Sequence, residues 1–342
     1  MGLKAFRRIQ ISNPEDTVGT AEAAVEILYG TMSFKPGLII HQPDEDRNNL
    51  AANVADDLVV GKLVELNWQG DLNFRHIIWA LAMSLCGNIT PTQPDPTNEP
   101  NAYLWTFTPA LTAPNTPDES DGIDTFTIEY GDDTQAYEAE YCFATQIQIS
   151  GAPNEPVKIS LTINGRQETD TTFTAALTAQ TVQRAPFNKA KFYIDTTWAG
   201  LGGTQKTGLL RGFTWTLDTM FKAFVTADGN LYFASVVEDK KNPVLELTYR
   251  WNSDSDSEKT KYENRTDAFL RIEIWGESEL DSGQDNLPYL ILDQCVRYTD
   301  WPELSDEEGA STVKVTAEGR YDATGAKMFE AKVLTDLDAY PT

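Results

Sequence analysis

The stretch GKLVELNWQGD at residues 61–71 returns as GLLRGFTWTLD at 208–218. Both open on Gly, carry Leu third and Trp eighth, and close on Asp. Two further blocks recur in the same order: TIEYG (127–131) with RIEIWG (271–276), and ISLTINGR (159–166) with VKVTAEGR (313–320). Cys142 precedes the last block in the first half and Cys295 in the second. Coincidence among strands rich in Thr, Ile and Gly is the competing explanation. The ordered echoes favour a duplicated domain, because the spacing far exceeds the ~20–50 residues of a solenoid repeat and is the size of a domain. The expectation is an arm over 1–34 followed by two units, 35–182 and 183–342, of one topology. Trp68 should then match Trp215, Cys142 should match Cys295, and Gly165 should match Gly319.

A chain of 342 residues is long enough for two such units, and 41% hydrophobic residues supply a core for each. With 52 acidic against 27 basic residues the net charge is −25. That excludes a protein that grips nucleic acid by neutralising phosphates, and one that adheres to an anionic membrane. The N-terminus lacks the apolar core of a signal peptide, and no apolar run is long enough to span a bilayer. Cys86, Cys142 and Cys295 lie far apart in apolar or strand-like settings and read as reduced, buried thiols.

Local pattern adds the elements. The arm carries a short helical tract at 20–28. DLNFRHIIWALAMSLCGN reads as an amphipathic helix with Asp71 as N-cap, Phe74, Ile77, Ile78, Leu81 and Leu85 on one face, and a stop at Gly87 and Asn88. EYCFATQIQISG and PVKISLTINGR alternate with period two around GAPNEP and predict a hairpin. Seven more strands are expected in the second half, from KFYIDTT to KMFEAKVLT. Residues 111–123 and 252–267 read as long polar loops at equivalent places.

Chemistry is sparse. The two histidines, His41 and His76, read as structural or surface residues. There is no metal-ligand spacing of His or Cys, no nucleophile elbow, and GGTQKTGLL lacks the lysine a phosphate loop needs. NSDSDSE (252–258) imitates a calcium loop without its glycine and without its bidentate Glu, Arg265 standing in that place. No enzyme and no cofactor is expected. Aromatic residues leave a carbohydrate-binding or adhesin module open as an alternative, and a decoration or capsid protein as another.

TFTIEYGDDTQAYEAEYCFATQIQISGAPNEPVKISLTINGRQ resembles the core of tail tube proteins from long-tailed bacteriophages. KFYIDTTWAGLGGTQ resembles the segment that opens their second half, and EDRNNLA (45–51) an acidic segment near their start. The resemblance implies a mainly β protein of two tandem tail-tube-like sandwich or barrel domains, each with a flanking α-helix. It also implies trimeric, pseudo-hexameric rings stacked into a tube that conducts DNA, with each chain filling two ring positions. Its partners would be further copies of itself, a tail terminator, a tape measure and baseplate or tip proteins, without membrane binding. It would be found in the virion tail, after assembly in the host cytoplasm. Two sets of side chains are candidates for a role. Glu129 and Glu273, at matched positions, are expected to face the lumen. Asp118, Glu119, Asp121, Asp254, Asp256 and Glu258, on the two long loops, are expected to contact the next ring.

Overall fold

The computed structural model describes residues 4–43, 57–111, 117 and 122–341. The first half runs β1 (Arg8–Pro14), β2 (Ala24–Ile27), β3 (Thr31–Lys35), β4 (Leu38–His41), β5 (Leu58–Lys62), β6 (Val64–Asp71), α1 (Ile77–Ser84), β7 (Tyr103–Phe107), β8 (Phe126–Gly131), β9 (Ala136–Gly151), β10 (Lys158–Gly165) and β11 (Gln167–Thr171). The second runs β12 (Ala190–Asp195), β13 (Leu210–Asp218), β14 (Phe221–Phe224), β15 (Ser235–Glu238), β16 (Asn242–Arg250), α2 (Ser253–Glu263), β17 (Ala268–Trp275), β18 (Tyr289–Asp300), β19 (Ser305–Glu307), β20 (Ala310–Gly319) and β21 (Phe329–Thr335). The protein is mainly β.

The β9–β10 hairpin forms as its alternation predicts, with Ile159 opposite Ile149 and Leu161 opposite Ile147. These apolar side chains share one buried face while Ser160, Gln146 and Gln148 share the other. Pairings recur between the halves. β3 pairs β6, β6 pairs β10, β10 pairs β9, β9 pairs β8, and β8 pairs β1. In the second half β13 pairs β16, β16 pairs β20, β20 pairs β18, β18 pairs β17, and β17 pairs β12. Cys142 and Cys295 therefore stand on corresponding strands, β9 and β18, and Gly165 and Gly319 close β10 and β20. The two tryptophans do not correspond: Trp68 is on β6, whose counterpart is β16, whereas Trp215 is on β13, the counterpart of β3. The sequence echo joined two strands that are neighbours in the pattern, because both bury a Trp in the same layer.

The halves are also joined. β13 lies antiparallel along β9, with Trp215 opposite Ile149, and β21 lies along β7, with Val333 opposite Trp105. One buried cluster runs through both halves, from Leu66 and Trp68 to Leu247 and Val315. At the first joint a Cβ on Gly151 would sit 2.5 Å from the Phe187 ring and 2.7 Å from that of Phe213, so only glycine lets the rings close there.

Four local expectations are corrected. Residues 24–27 form β2, paired with β1, because Ala24 and Glu26 turn inward in a two-residue rhythm that a helix would break. α1 begins at Ile77, and Asp71 ends β6 instead of capping it; the N-cap position is His76, without a side-chain cap, and Asn73 Oδ1 accepts from the backbone N–H groups of Arg75 and His76 in the turn that leads into the helix. All residues of α1 are buried, so no face of it meets water. Residues 253–263 are helix, not loop. Asn252 caps them, accepting from the backbone N–H of Asp254 and Ser255, and Asp254 and Asp256 occupy the first turn, where carboxylates suit the helix dipole.

Candidate assembly surface

Eight strands follow one another across a continuous sheet in the order β3–β6–β10–β9–β13–β16–β20–β18. Their inward residues, including Trp68, Leu161, Ile149, Trp215, Leu247 and Val315, are buried. Their outward residues are mostly polar, and the register aligns them in rows. Gln69, Ser160, Gln148 and Thr216 stand opposite one another across four strands. So do Ser150, Thr214, Glu246 and Thr316.

The rows are tied across the strands. Thr162 donates to Asn67 Oδ1 at 3.2 Å, Gln146 Nε2 to Asp218 at 2.6 Å, and Gln148 Nε2 to Thr216 Oγ1 at 3.1 Å. Charge on this face is balanced locally: Lys314 meets Glu246 at 2.8 Å, and Lys35 meets Glu65 at 3.3 Å. The face thus offers water a wall of amides and hydroxyls. It offers a polyanion neither a bank of cations to hold it nor a concentrated negative field to repel it.

Glu129 and Glu273 lie elsewhere. Glu129 is on β8, 2% exposed, and accepts from Thr174 through its backbone N–H at 2.7 Å and its hydroxyl at 2.5 Å. Glu273 is on β17, buried, 3.5 Å from Arg271 and accepting from the Trp275 indole at 3.2 Å. The two positions correspond in strand pairing, Glu129 facing Gln10 of β1 and Glu273 facing Lys191 of β12. Neither belongs to the polar face.

On α2 the carboxylates divide. Asp256 is exposed, and Asp254 bonds Lys206 at 2.8 Å. Glu258 is buried, accepting from the Tyr298 hydroxyl at 2.9 Å and from Lys261 at 2.8 Å. Tyr298 in turn meets Tyr249 at 3.1 Å, and burial drives both phenols well above their ordinary pKa. This network pins α2 onto β16 and β18. Asp118, Glu119 and Asp121 lie outside the described residues, as does the 45–51 segment.

Two hairpins went unread in the sequence, β4–β5 and β14–β15. Leu38, Ile39, Ile40, Leu58, Val59 and Val60 of the first are exposed. The apolar, β-branched composition of GLII and LVV was the available signal.

Among the described residues no group of three or more His, Cys, Asp or Glu side chains could hold a metal ion. No helix among them is long and apolar enough to cross a membrane. What the described residues offer is one long sheet with a polar wet face, which suits a structural part better than a reaction centre. The family model for phage tail tube protein matches residues 8–291, so the chain belongs to that family. It is a structural, non-catalytic protein of the bacteriophage virion tail. No curated protein matches it.

Proposed function

We propose that this chain polymerises into stacked rings forming the tube through which DNA leaves the virion, three chains making a pseudo-hexameric ring. The observation that carries this is the β9–β13 pairing, which fuses corresponding strand sets of the two halves into one sheet. The two halves then act as tandem tube domains that meet as neighbours in a ring: 35–182, which takes in β1, β2 and β3 of the N-terminal segment beside it, and 183–342. Repeating the same joint between chains closes the ring, since a head-to-tail contact closes when its rotation divides a full turn. Closure also removes the free strand edges.

In this reading the lumen wall is the polar sheet face. Its Gln, Asn, Ser and Thr rows, with Glu246 and Glu65 paired to lysines of the same face, hydrate the duplex without holding it. Glu129 and Glu273 sit beneath their own chain and serve as buried acceptors, not as wall charges. Between rings, the contacts come from parts of the N-terminal arm, the segment 111–123 with Asp118, Glu119 and Asp121, and the outer side of α2, where Asp256 is exposed and Asp254 half-exposed. Glu258 anchors that helix. The tube assembles in the host cytoplasm around a tape measure, starts from a baseplate or tip and ends at a tail terminator. Electron microscopy of the purified chain at rising concentration tests the reading: hollow tubes or short ring stacks are expected, and dispersed monomers throughout would overturn it.

A further inference from the structure

The in-chain joint also shows where one copy should receive the next. β9 carries β8 along one flank as far as Cys142, and the same flank then receives β13 from Gln146 to Gly151. β18, its counterpart, carries β17 along one flank as far as Val296. Beyond that point the flank has no strand among the described residues, although β20 pairs the other side through Asp300. The counterpart of β13 is β3, which pairs β6 on one side and no strand on the other among the described residues. Among the described residues the long sheet therefore ends on two edges without a strand partner, and the two are the halves of a joint the chain already builds once internally.

We infer that the end of β18, Arg297–Asp300, together with residues 301–304 that follow it, in which Pro302 donates no N–H, pairs with β3 of the next copy. This rests on the tube reading and names the segments that close the ring. Charge supports the match. The β18 side presents Asp300, Glu303, Asp306, Glu307 and Glu308, all exposed, although Glu307 and Glu308 also reach Arg211. The β3 side presents the exposed Lys4, Arg7 and Arg8 and also Lys35, which reaches Glu65 within its own chain. In a chain of net charge −25, a basic rim beside one sheet edge and an acidic rim beside the other favour head-to-tail contact over like-to-like contact.

Shape supports it too. Beside β3 opens a cavity of about 1410 Å³ whose lining includes Arg7, Arg8, Met32, Phe34 and Tyr137. Phe34 is 43% exposed at its rim, and Leu304 is 48% exposed on the opposite edge. At the in-chain joint Phe213 and Trp215, the counterparts of Met32 and Phe34 on β3, are buried.

Cysteine pairing in the assembled protein tests the joint. Ser33→Cys is combined in turn with Thr299→Cys, Asp300→Cys or Glu303→Cys, and tubes are oxidised before a denaturing, non-reducing gel. Disulfides need Cα atoms about 4.4–6.8 Å apart, so a link reports strand adjacency. At least one pair should yield dimers and trimers that the single variants do not. Tubes without a link in any pair would overturn the joint and leave the tube reading standing, whereas failure of the wild-type chain to assemble would remove both. Lys35→Glu with Arg7→Glu should raise the concentration needed for assembly at least ~10-fold, and Glu303→Lys with Asp306→Lys in the same chain should restore it. Unchanged assembly in the first double variant would equally overturn the joint.

Discussion

Trp215 of the second half stands opposite Ile149 of the first across the β9–β13 pair, and its indole N–H donates to Gln294 at 2.8 Å on β18. One side chain thus holds the junction of the halves and the core of its own. Trp215→Ala should cost about 3–5 kcal/mol, the range for emptying a large buried aromatic site. Because β7 and β21 also join the halves, the loss should appear as one earlier unfolding transition in calorimetry. Two separated transitions would show that the joints are weak.

Burial raises the Asp124 carboxyl to about 6, against the opposing hydrogen bond from the Asn88 N–H at 3.1 Å. Its folded pKa lies above the unfolded value of 3.8, so the folded state binds the proton more tightly. This contribution to stability is full below pH 4 and is lost as pH rises toward 6. Asp124→Asn should therefore raise stability at pH 7 by roughly 1–3 kcal/mol relative to its effect at pH 4. Urea unfolding of both proteins at the two pH values measures this.

Glu330 has the opposite sign. Despite burial, hydrogen bonds from Lys327, Lys332 and Thr108 hold it down to about 2. Thr108 follows β7 and Glu330 lies on β21, so this contact reinforces the second joint. The stability it supplies is present above pH 4.5 and falls away as pH drops toward 2. Glu330→Gln should lose stability at pH 7 and little at pH 2, read from the pH dependence of the melting temperature.

Glu129→Gln keeps an oxygen that can accept one of the two Thr174 bonds and should cost about 1–2 kcal/mol; Glu129→Lys buries an unmatched cation and should cost more. Thermal melts of the soluble chain check the order. If Glu129→Lys melts with the wild type, the carboxylate is not the buried acceptor described above.

The strands were legible where two-residue alternation met one buried face. β9, β10, β13, β16 and β20 all show it, and so does the polar face they form, since its residues are the alternate members. α1 was legible as a helix, but its surroundings were not: Ile77 through Ser84 are all buried, which no single-face pattern expresses. α2 was hidden because its residues are almost wholly polar; only the Asn252 cap and the charge order, acidic first and Lys261 late, marked it. The pairing of β9 with β13 depends on which strand lies beside which, and local periodicity holds no record of that. The matched glutamates lie on strands with like pairings, β8 beside β1 and β17 beside β12, while their partners Thr174 and Arg271 are ones the pattern does not link to them.

The central claim is that one chain fills two neighbouring places in a six-place ring. A cryo-electron microscopy reconstruction of assembled tubes counts chains per ring directly. The account predicts three chains per ring, six similar density lobes around a hollow core, and a β9–β13-like joint at every boundary. Six chains per ring, or a lumen lined by strands other than those of the polar sheet face, would contradict it.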